Sequence, residues 1–199
     1  MSNQDSARTQ HLILPRLPAE CYRGQSYVHW SLTMQDRKTG WLIPIFYYKF
    51  REILTHTMFR YGLCCPIYCC MPDHLHLLWI GITDWADQRL GMRFFRRHMT
   101  PVLDKLGAEF QVQPYDHVLR EDERERSAFE SVVEYIARNP ERKGLVPPNG
   151  FRTYPYSGCL IPGYPELKPF EAEYWDRFWR IYSHIRKDGL FSSKDDQPG

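Results

Sequence analysis

Two histidines separated by a single residue are the first feature of this chain that could do chemistry. His74 and His76 flank Leu75 inside the apolar run MPDHLHLLWIG, residues 71–81. Because side chains alternate along a β-strand, both imidazoles would point to the same face of such a strand. Paired imidazoles suit a divalent transition-metal ion, but they also occur as a hydrogen-bonded pair on a half-exposed strand. The motif alone leaves both interpretations open.

A tyrosine and an asparagine one helical turn apart are the second feature. Tyr135 and Asn139 lie at one border of an apolar stripe with helical spacing, where both could reach a neighbouring surface. Pro140 disfavours a helical conformation at Asn139, so the helix is predicted to end there. On its own, a rim tyrosine beside a capping asparagine is the simpler interpretation. The apolar stripe consists of Phe129, Val132, Val133 and Ile136.

Together the two motifs resemble the single-tyrosine HUH transposases of the TnpA kind, and most closely the REP-associated tyrosine transposases. Residues 71–78, MPDHLHLL, stand where that family has its metal-binding His-hydrophobic-His strand. Residues 135–140, YIARNP, and 144–146, GLV, match its nucleophile helix and the following turn. The likeness covers about residues 21–150 and touches the segment around 154–157. It is imperfect at Asp73, which replaces a common asparagine.

The resemblance implies an enzyme, a transposase that cuts single-stranded DNA at hairpin (REP-like) sequences and transfers the cut strand. Tyr135 would be its nucleophile and would form a 5′-phosphotyrosine intermediate. His74, His76 and Asn139 would hold a divalent cation, Mg²⁺ or Mn²⁺. Hairpin-bearing single-stranded DNA is therefore the expected partner, and both a monomer and a homodimer are compatible with the family.

Two other functions stay open at this point. One is a hairpin DNA-binding protein that is catalytically silent. The other is a metal-stabilised structural or RNA-binding module in which Tyr135 is merely packed. A structural zinc site is disfavoured, because only two strong ligands are adjacent and Asn139 is a poor zinc ligand.

Basic residues near the two motifs are candidates for contacts with DNA. A net charge of +2 is a weak indication of nucleic-acid binding, so local clusters matter more. One cluster lies on a predicted helix, where a solvated face is an equally good interpretation, and the other flanks the proposed nucleophile. His117, or water, could accept the proton of Tyr135. The predicted DNA-binding residues are Arg93, Arg96, Arg97, Arg138, Arg142 and Lys143.

Composition indicates a globular, cytoplasmic protein. The 199 residues are 43% hydrophobic and 15% aromatic, enough for one domain with an extension. No apolar run approaches the roughly 20 residues that span a bilayer, and the N-terminus lacks the apolar stretch of a secretory signal. We therefore predict a cytoplasmic protein without a membrane partner, and the family resemblance implies that it is nucleoid-associated. Four of the six cysteines have the spacing CC-x3-CC, which predicts small buried residues rather than a zinc site.

The order of predicted elements indicates an α+β fold. Its strands are predicted at residues 26–34, 67–70, 74–80 and 110–113, and its helices at 46–61, 85–106 and 129–139. The segment around His117 is predicted to be a loop. This order suits an antiparallel sheet with packed helices. The family resemblance implies a ferredoxin-like arrangement, the HUH endonuclease fold, with the histidines on a central strand.

We predict three segments along the chain. Residues 1–20 form a flexible N-terminal segment, and residues 21–150 form the HUH transposase domain. Residues 151–199 begin as an irregular wrap rich in proline and glycine and continue as a helix whose aromatic stripe packs on the domain. The chain from residue 192 onward is predicted to be disordered.

Overall fold

A computed structural model describes residues 15–187. Its centre is a five-stranded antiparallel sheet in the order β4-β1-β3-β2-β5. The histidine strand is therefore the middle one, which confirms the predicted α+β class. The strands are β1 Tyr27–Thr33, β2 Leu63–Met71, β3 His74–Gly81, β4 Tyr115–Val118 and β5 Ser157–Leu160.

Helices cover both faces of the sheet. Along β3, Leu77 and Trp79 pack into the core under α1 and α2, whereas Leu78 and Ile80 pack under α3 and α5. We call the side that packs under α1 and α2 the α2 face of the sheet, and the side that packs under α3 and α5 the α3 face. The two faces arise because the strand is apolar on both sides. The helices are α1 Pro44–Arg60, α2 Gln88–Asp104, α3 Arg126–Ala137, α4 Asn139–Arg142 and α5 Tyr174–Lys187.

The strand that precedes the histidines is longer than predicted. β2 begins at Leu63, and its register with β3 shifts between Cys64 and Ile67. Pro66 lies inside this shift, where the missing N–H of proline is tolerated. The four cysteines of β2, which stand in the sequence as two adjacent pairs, form no disulfide. They are buried, as the sequence predicted.

The edge strand beside β1 is not the segment that the sequence indicated. Phe110 forms only an isolated bridge with Met34, and the predicted strand at residues 110–113 is absent from the described part of the chain. β4 lies instead at Tyr115–Val118, in the predicted loop. Its side chains are half-buried or exposed, so it lacks the alternating apolar pattern by which a strand is recognised.

The C-terminal helix packs on the α3 face. Phe178 of α5 stacks on Phe129 of α3, with 6.2 Å between the ring centroids. The structure does not describe residues 1–14 or 188–199, so most of the predicted N-terminal segment and the predicted disordered end lie outside it. None of the helices between residues 15 and 187 combines the length and the apolar character that crossing a bilayer requires.

Gly81 ends β3 where the strand passes close to the turn before β1. A Cβ at this position would lie 1.7 Å from the carbonyl oxygen of Gly24, a backbone atom. We expect Gly81→Ala to lower the free energy of unfolding by about 3 kcal/mol, the upper end of overpacking costs. Urea unfolding followed by circular dichroism measures this change.

Gly91→Ala is the matched control for Gly81→Ala. Its Cβ would meet only side-chain atoms, of which the nearest is the end of Leu63 at 3.0 Å, and alanine favours the helix over glycine. We expect this variant to be close to wild type in stability. Equal destabilisation of the two variants would contradict the close approach of β3 to Gly24.

Candidate functional site

The two imidazoles lie on the α3 face of the sheet. His74 and His76 have the same parity along β3 as Leu78 and Ile80, which pack under α3. His74 is 8% exposed, and His76 is half-buried. The alternation seen in the sequence is therefore realised on the face that also carries the predicted tyrosine helix.

The geometry of the pair fits a divalent cation. The Nε2 atoms of His74 and His76 are 3.0 Å apart, and the ring planes are nearly perpendicular, at 88°. The 3.0 Å separation is a hydrogen-bond distance, and it is also the separation of about 3 Å between adjacent ligands on an octahedral ion at about 2.1 Å. The two nitrogens could therefore bind one cation with little rearrangement.

Asp73 contacts the nitrogen of the His74 ring that faces away from His76. Its Oδ1 lies 2.6 Å from Nδ1 of His74, and its Oδ2 accepts a hydrogen bond from Arg37 at 3.1 Å. Burial raises the pKa of the Asp73 carboxyl, but His74 and Arg37 together hold it below its usual value. A carboxylate that accepts the Nδ1–H of a histidine leaves the Nε2 lone pair available to a metal.

A third imidazole, which the sequence analysis did not single out, adjoins the pair. Nε2 of His29 lies 3.1 Å from Nδ1 of His76. His29 pairs across the sheet with His117 of β4, whose Nε2 lies 3.0 Å from Oε2 of Glu123. Four imidazoles thus form a row over three strands. No local pattern could reveal it, because the register between β1 and β3 decides which side chains meet.

Burial keeps the inner imidazoles of this row neutral. It lowers the pKa of His29 to about 4, with a smaller contribution from the charge of His117. It lowers the pKa of His76 to about 3, assisted by His29, His74 and Arg142 and opposed by Asp73. Near pH 7 both rings are therefore neutral, and each has one nitrogen with a lone pair that can accept a hydrogen bond or bind a metal.

Asn139 lies at the junction of two helices. α3 ends at Ala137 and α4 begins at Asn139, with Pro140 in its first turn. The break was predicted from the proline, whereas the short second helix was not. α4 packs against β2, the strand beside the histidines, and Cys69 of β2 pairs directly with His76.

The side-chain amide of Asn139 has a fixed orientation. The residue is 9% exposed, and its Nδ2 donates to the carbonyl of Ile136 at 2.8 Å and to that of Tyr135 at 3.4 Å. Among residues 15–187, no donor is hydrogen-bonded to its Oδ1. An amide oxygen held in this way is a suitable ligand for a hard cation.

A cation at the histidine pair would need oxygen ligands. In the described part of the chain, no group of three or more His, Cys, Asp or Glu side chains is arranged to hold a metal ion. The imidazoles of His74 and His76 could hold such an ion together with oxygen atoms from solvent or from a phosphate, and the Asn139 amide stays the third ligand that the sequence analysis predicted.

Tyr135 is not sealed in the interior. It is 55% exposed, and its ring lies under the guanidinium of Arg142, 4.2 Å from the Cζ atom. The charge of Arg142 also contributes to the lowered pKa of His76. Arg142 thus adjoins the phenol and is close enough to act electrostatically on the imidazole pair, on the same face of the sheet.

His117 has another partner: its Nε2 lies 3.0 Å from Oε2 of Glu123, and no hydrogen bond joins it to Tyr135 among residues 15–187. β4 and β2 are three positions apart in the sheet, about 14 Å at the usual strand spacing, and α3 packs over β2. Of the two proton acceptors that the sequence suggested, water suits this geometry better.

The predicted DNA-binding residues fall into two groups. Arg142 lies beside Tyr135, and Lys143, which follows it in the chain, is exposed. Arg138 forms ion pairs with Glu134 at 2.8 Å and Glu141 at 3.2 Å, so it ties α3 to α4. The other group, on α2, lies on the opposite face of the sheet and consists of Arg93, Arg96 and Arg97.

Arg96 is largely occupied by the protein itself. Its guanidinium donates to the carbonyls of Gln111 at 2.6 Å and Val112 at 2.8 Å, and so it anchors the segment before β4 to α2. Arg93 and Arg97 are exposed, and neither forms an ion pair among residues 15–187. The two exposed arginines are thus the ones open to an external anion.

Comparison with known proteins finds similarity to solved structures. No protein-family model and no curated protein matches the sequence. A solved structure described as the REP-associated tyrosine transposase bound to a REP hairpin is similar to this chain, with a TM-score of 0.59 and 17% sequence identity. The match covers 73% of this chain and 81% of that chain. This chain therefore has the fold of a REP-associated tyrosine transposase, the group that its two motifs resemble.

Proposed function

We propose that this protein is a transposase that cleaves single-stranded DNA at hairpin (REP-like) sequences and transfers the cut strand. The observation that carries this proposal is the exposed phenol of Tyr135 on the same sheet face as the paired imidazoles. The shared fold supports it, since the similar structure is of a tyrosine transposase bound to a REP hairpin. The two sequence motifs support it independently.

Tyr135 is the proposed nucleophile. Its phenolate oxygen bonds to the scissile phosphorus while the bond from phosphorus to the 3′ oxygen breaks. The phenol gives up its proton to water, and the leaving 3′ oxygen takes one up to become a free hydroxyl. The product is a 5′-phosphotyrosine that conserves the energy for rejoining. Arg142 lies over the ring of Tyr135, where its guanidinium can contact a phosphate.

His74, His76 and Asn139 are the proposed holders of a divalent cation, Mg²⁺ or Mn²⁺. When bound, such an ion supplies Lewis acidity toward the phosphodiester. Asp73 keeps the proton of His74 on Nδ1, and the carbonyls of Ile136 and Tyr135 orient the Asn139 amide. Imidazole ligands suit Mn²⁺ better than Mg²⁺.

His29 is expected to tune the affinity for this cation. His76 can offer Nε2 to a metal only when its proton lies on Nδ1, which faces Nε2 of His29. We expect His29→Phe to weaken Mn²⁺ binding by about 10-fold or more, and His29→Gln to recover much of the loss because an amide oxygen can accept that proton. Isothermal titration of Mn²⁺ without DNA measures both.

His98→Phe is the control for the His29 variants, since His98 is exposed on α2. It should bind Mn²⁺ like the wild type. If His29→Phe also binds Mn²⁺ like the wild type, or if His29→Gln is no better than His29→Phe, the hydrogen bond does not orient His76.

Covalent trapping tests the proposed reaction. The protein is incubated with Mn²⁺ and a labelled hairpin bearing single-stranded flanks, and the products are separated on a denaturing gel. The expected adduct carries a label placed on the 3′ side of the cut, because the tyrosine retains the 5′-phosphate. Hairpin binding without an adduct would indicate a silent DNA-binding protein. Absence of hairpin binding would favour the structural or RNA-binding alternative.

We further propose that the protein is cytoplasmic and nucleoid-associated, because its proposed substrate is chromosomal DNA. The oligomeric state is either a monomer or a homodimer. The mass in solution, measured by light scattering with and without hairpin DNA, distinguishes the two states.

A further inference from the structure

A cleft on the α2 face of the sheet is lined by arginines from two parts of the chain. Arg89, Arg93 and Arg96 are spaced i, i+4 and i+7 and so share one side of α2. Arg16, from the segment before β1, also lines the cleft, which has a volume of about 680 Å³. No acidic residue is among the described residues that line it.

Two of these arginines connect the elements that surround the cleft. Arg16 forms an ion pair with Asp116 of β4 at 3.2 Å. Arg96 binds the carbonyls of Gln111 and Val112, as described above. Burial lowers the pKa of Arg96, and the nearby charge of Arg16 makes a smaller contribution in the same direction.

The other two arginines remain without a carboxylate partner. Arg89 lies over the ring of Tyr22, 5.7 Å from its centroid, and forms no ion pair in the described part of the chain. Arg93 is exposed and likewise forms none between residues 15 and 187. Two unpaired guanidinium groups, one turn apart on a helix, present several N–H donors to an anion.

The cleft and the imidazole row meet at the same edge of the sheet. In β4, Asp116 pairs with Trp30 and faces the cleft, whereas the next residue, His117, pairs with His29 and faces the row. β4 is the outermost strand. A long, flexible or helical polyanion that crosses this edge could therefore contact both faces.

We propose that this arginine cleft binds backbone phosphates of the hairpin stem, away from the phosphate that is cut. The identity of the ligand as DNA rests on the proposed function. Guanidinium groups pair with phosphate oxygens through two parallel hydrogen bonds. Contacts with the backbone fix the position of a nucleic acid without reading its sequence, so the cleft would hold the stem while the single strand reaches Tyr135.

The salt dependence of hairpin binding tests the cleft. Affinity is measured in a Tyr135→Phe background without divalent cations, so that no chemistry occurs, from about 50 to about 200 mM salt. We expect Arg93→Gln to reduce the slope of log K against log salt by about one, and Arg89→Gln with Arg93→Gln to reduce it by about two. Circular dichroism verifies that each variant is folded.

Arg60→Gln is the matched control, because Arg60 is exposed at the end of α1, which covers the same face of the sheet, but does not line the cleft. Its slope should equal that of the parent protein. Equal changes in the Arg93 and Arg60 variants, or no change in the Arg93 variant, would overturn the proposal. The stem assignment would be overturned if the effect of Arg93→Gln appeared with single strands and not with the blunt duplex stem.

Failure of the cleft and failure of the proposed function give different results. An adduct in the protein with Tyr135 intact, combined with an unchanged slope in Arg93→Gln, rejects the cleft alone. A reduced slope without any adduct rejects strand cleavage and leaves the cleft as a DNA-binding site.

Discussion

Tyr135→Phe is expected to abolish the covalent adduct and to lower the cleavage rate by roughly 10⁴-fold or more, as loss of a catalytic nucleophile does in other enzymes. Hairpin affinity should stay within about twofold of the wild type, because a solvent-exposed hydroxyl adds little to binding. The ring is retained, so its contact with Arg142 is retained as well. The change therefore removes the nucleophilic oxygen and little else.

Denaturing gels and a binding titration, both with the same labelled hairpin, measure the two effects. Tyr48→Phe is the matched control: Tyr48 is 66% exposed, but it lies on α1, on the opposite face of the sheet. It should cleave and bind like the wild type. An adduct that persists in Tyr135→Phe would mean that another side chain attacks the DNA, and the proposed assignment would be wrong.

His76→Ala should reduce cleavage by roughly 10²–10³-fold, since loss of a metal ligand removes several kcal/mol of transition-state stabilisation. The hairpin should still bind within a few-fold, because the basic residues that we propose as phosphate contacts are unchanged. Mn²⁺ affinity should fall as well. The Nε2 atom of His76 lies 3.0 Å from Nε2 of His74, and its Nδ1 atom lies 3.1 Å from Nε2 of His29. The substitution therefore removes both of these contacts.

Single-turnover cleavage, Mn²⁺ titration and thermal unfolding separate these effects from misfolding. Ser31→Ala is a suitable control, because Ser31 pairs directly with His76 from the neighbouring strand and shares its face. It should retain cleavage. A chelator should reproduce the His76→Ala defect in the wild type, and equal cleavage with and without chelator would remove the metal from the proposal.

Local periodicity determined much of the candidate site. The alternation around Leu75 was enough to predict that His74 and His76 share a face, because the twofold repeat of a strand depends only on the backbone. The helical spacing before Tyr135, and Pro140 after it, predicted the tyrosine helix and its end. These features are encoded within a few residues of one another.

Longer-range pairing decided the rest. His29 adjoins His76 because β1 lies beside β3 in one particular register, which no pattern within either strand specifies. β4 was missed for the same reason, since its pairing with β1 stabilises a segment with little apolar character. Likewise, the rotation and packing of α2 place Arg93 at the cleft and Arg97 outside it.

The sequence alone therefore predicted the candidate chemical groups, through motifs whose geometry follows from the repeat of a single strand or helix. Only the tertiary structure decided which of those groups meet, because sheet order and register are set by contacts between residues far apart in the chain. Arg138 illustrates the difference: it flanks the nucleophile in the sequence, yet in the fold Glu134 and Glu141 neutralise it.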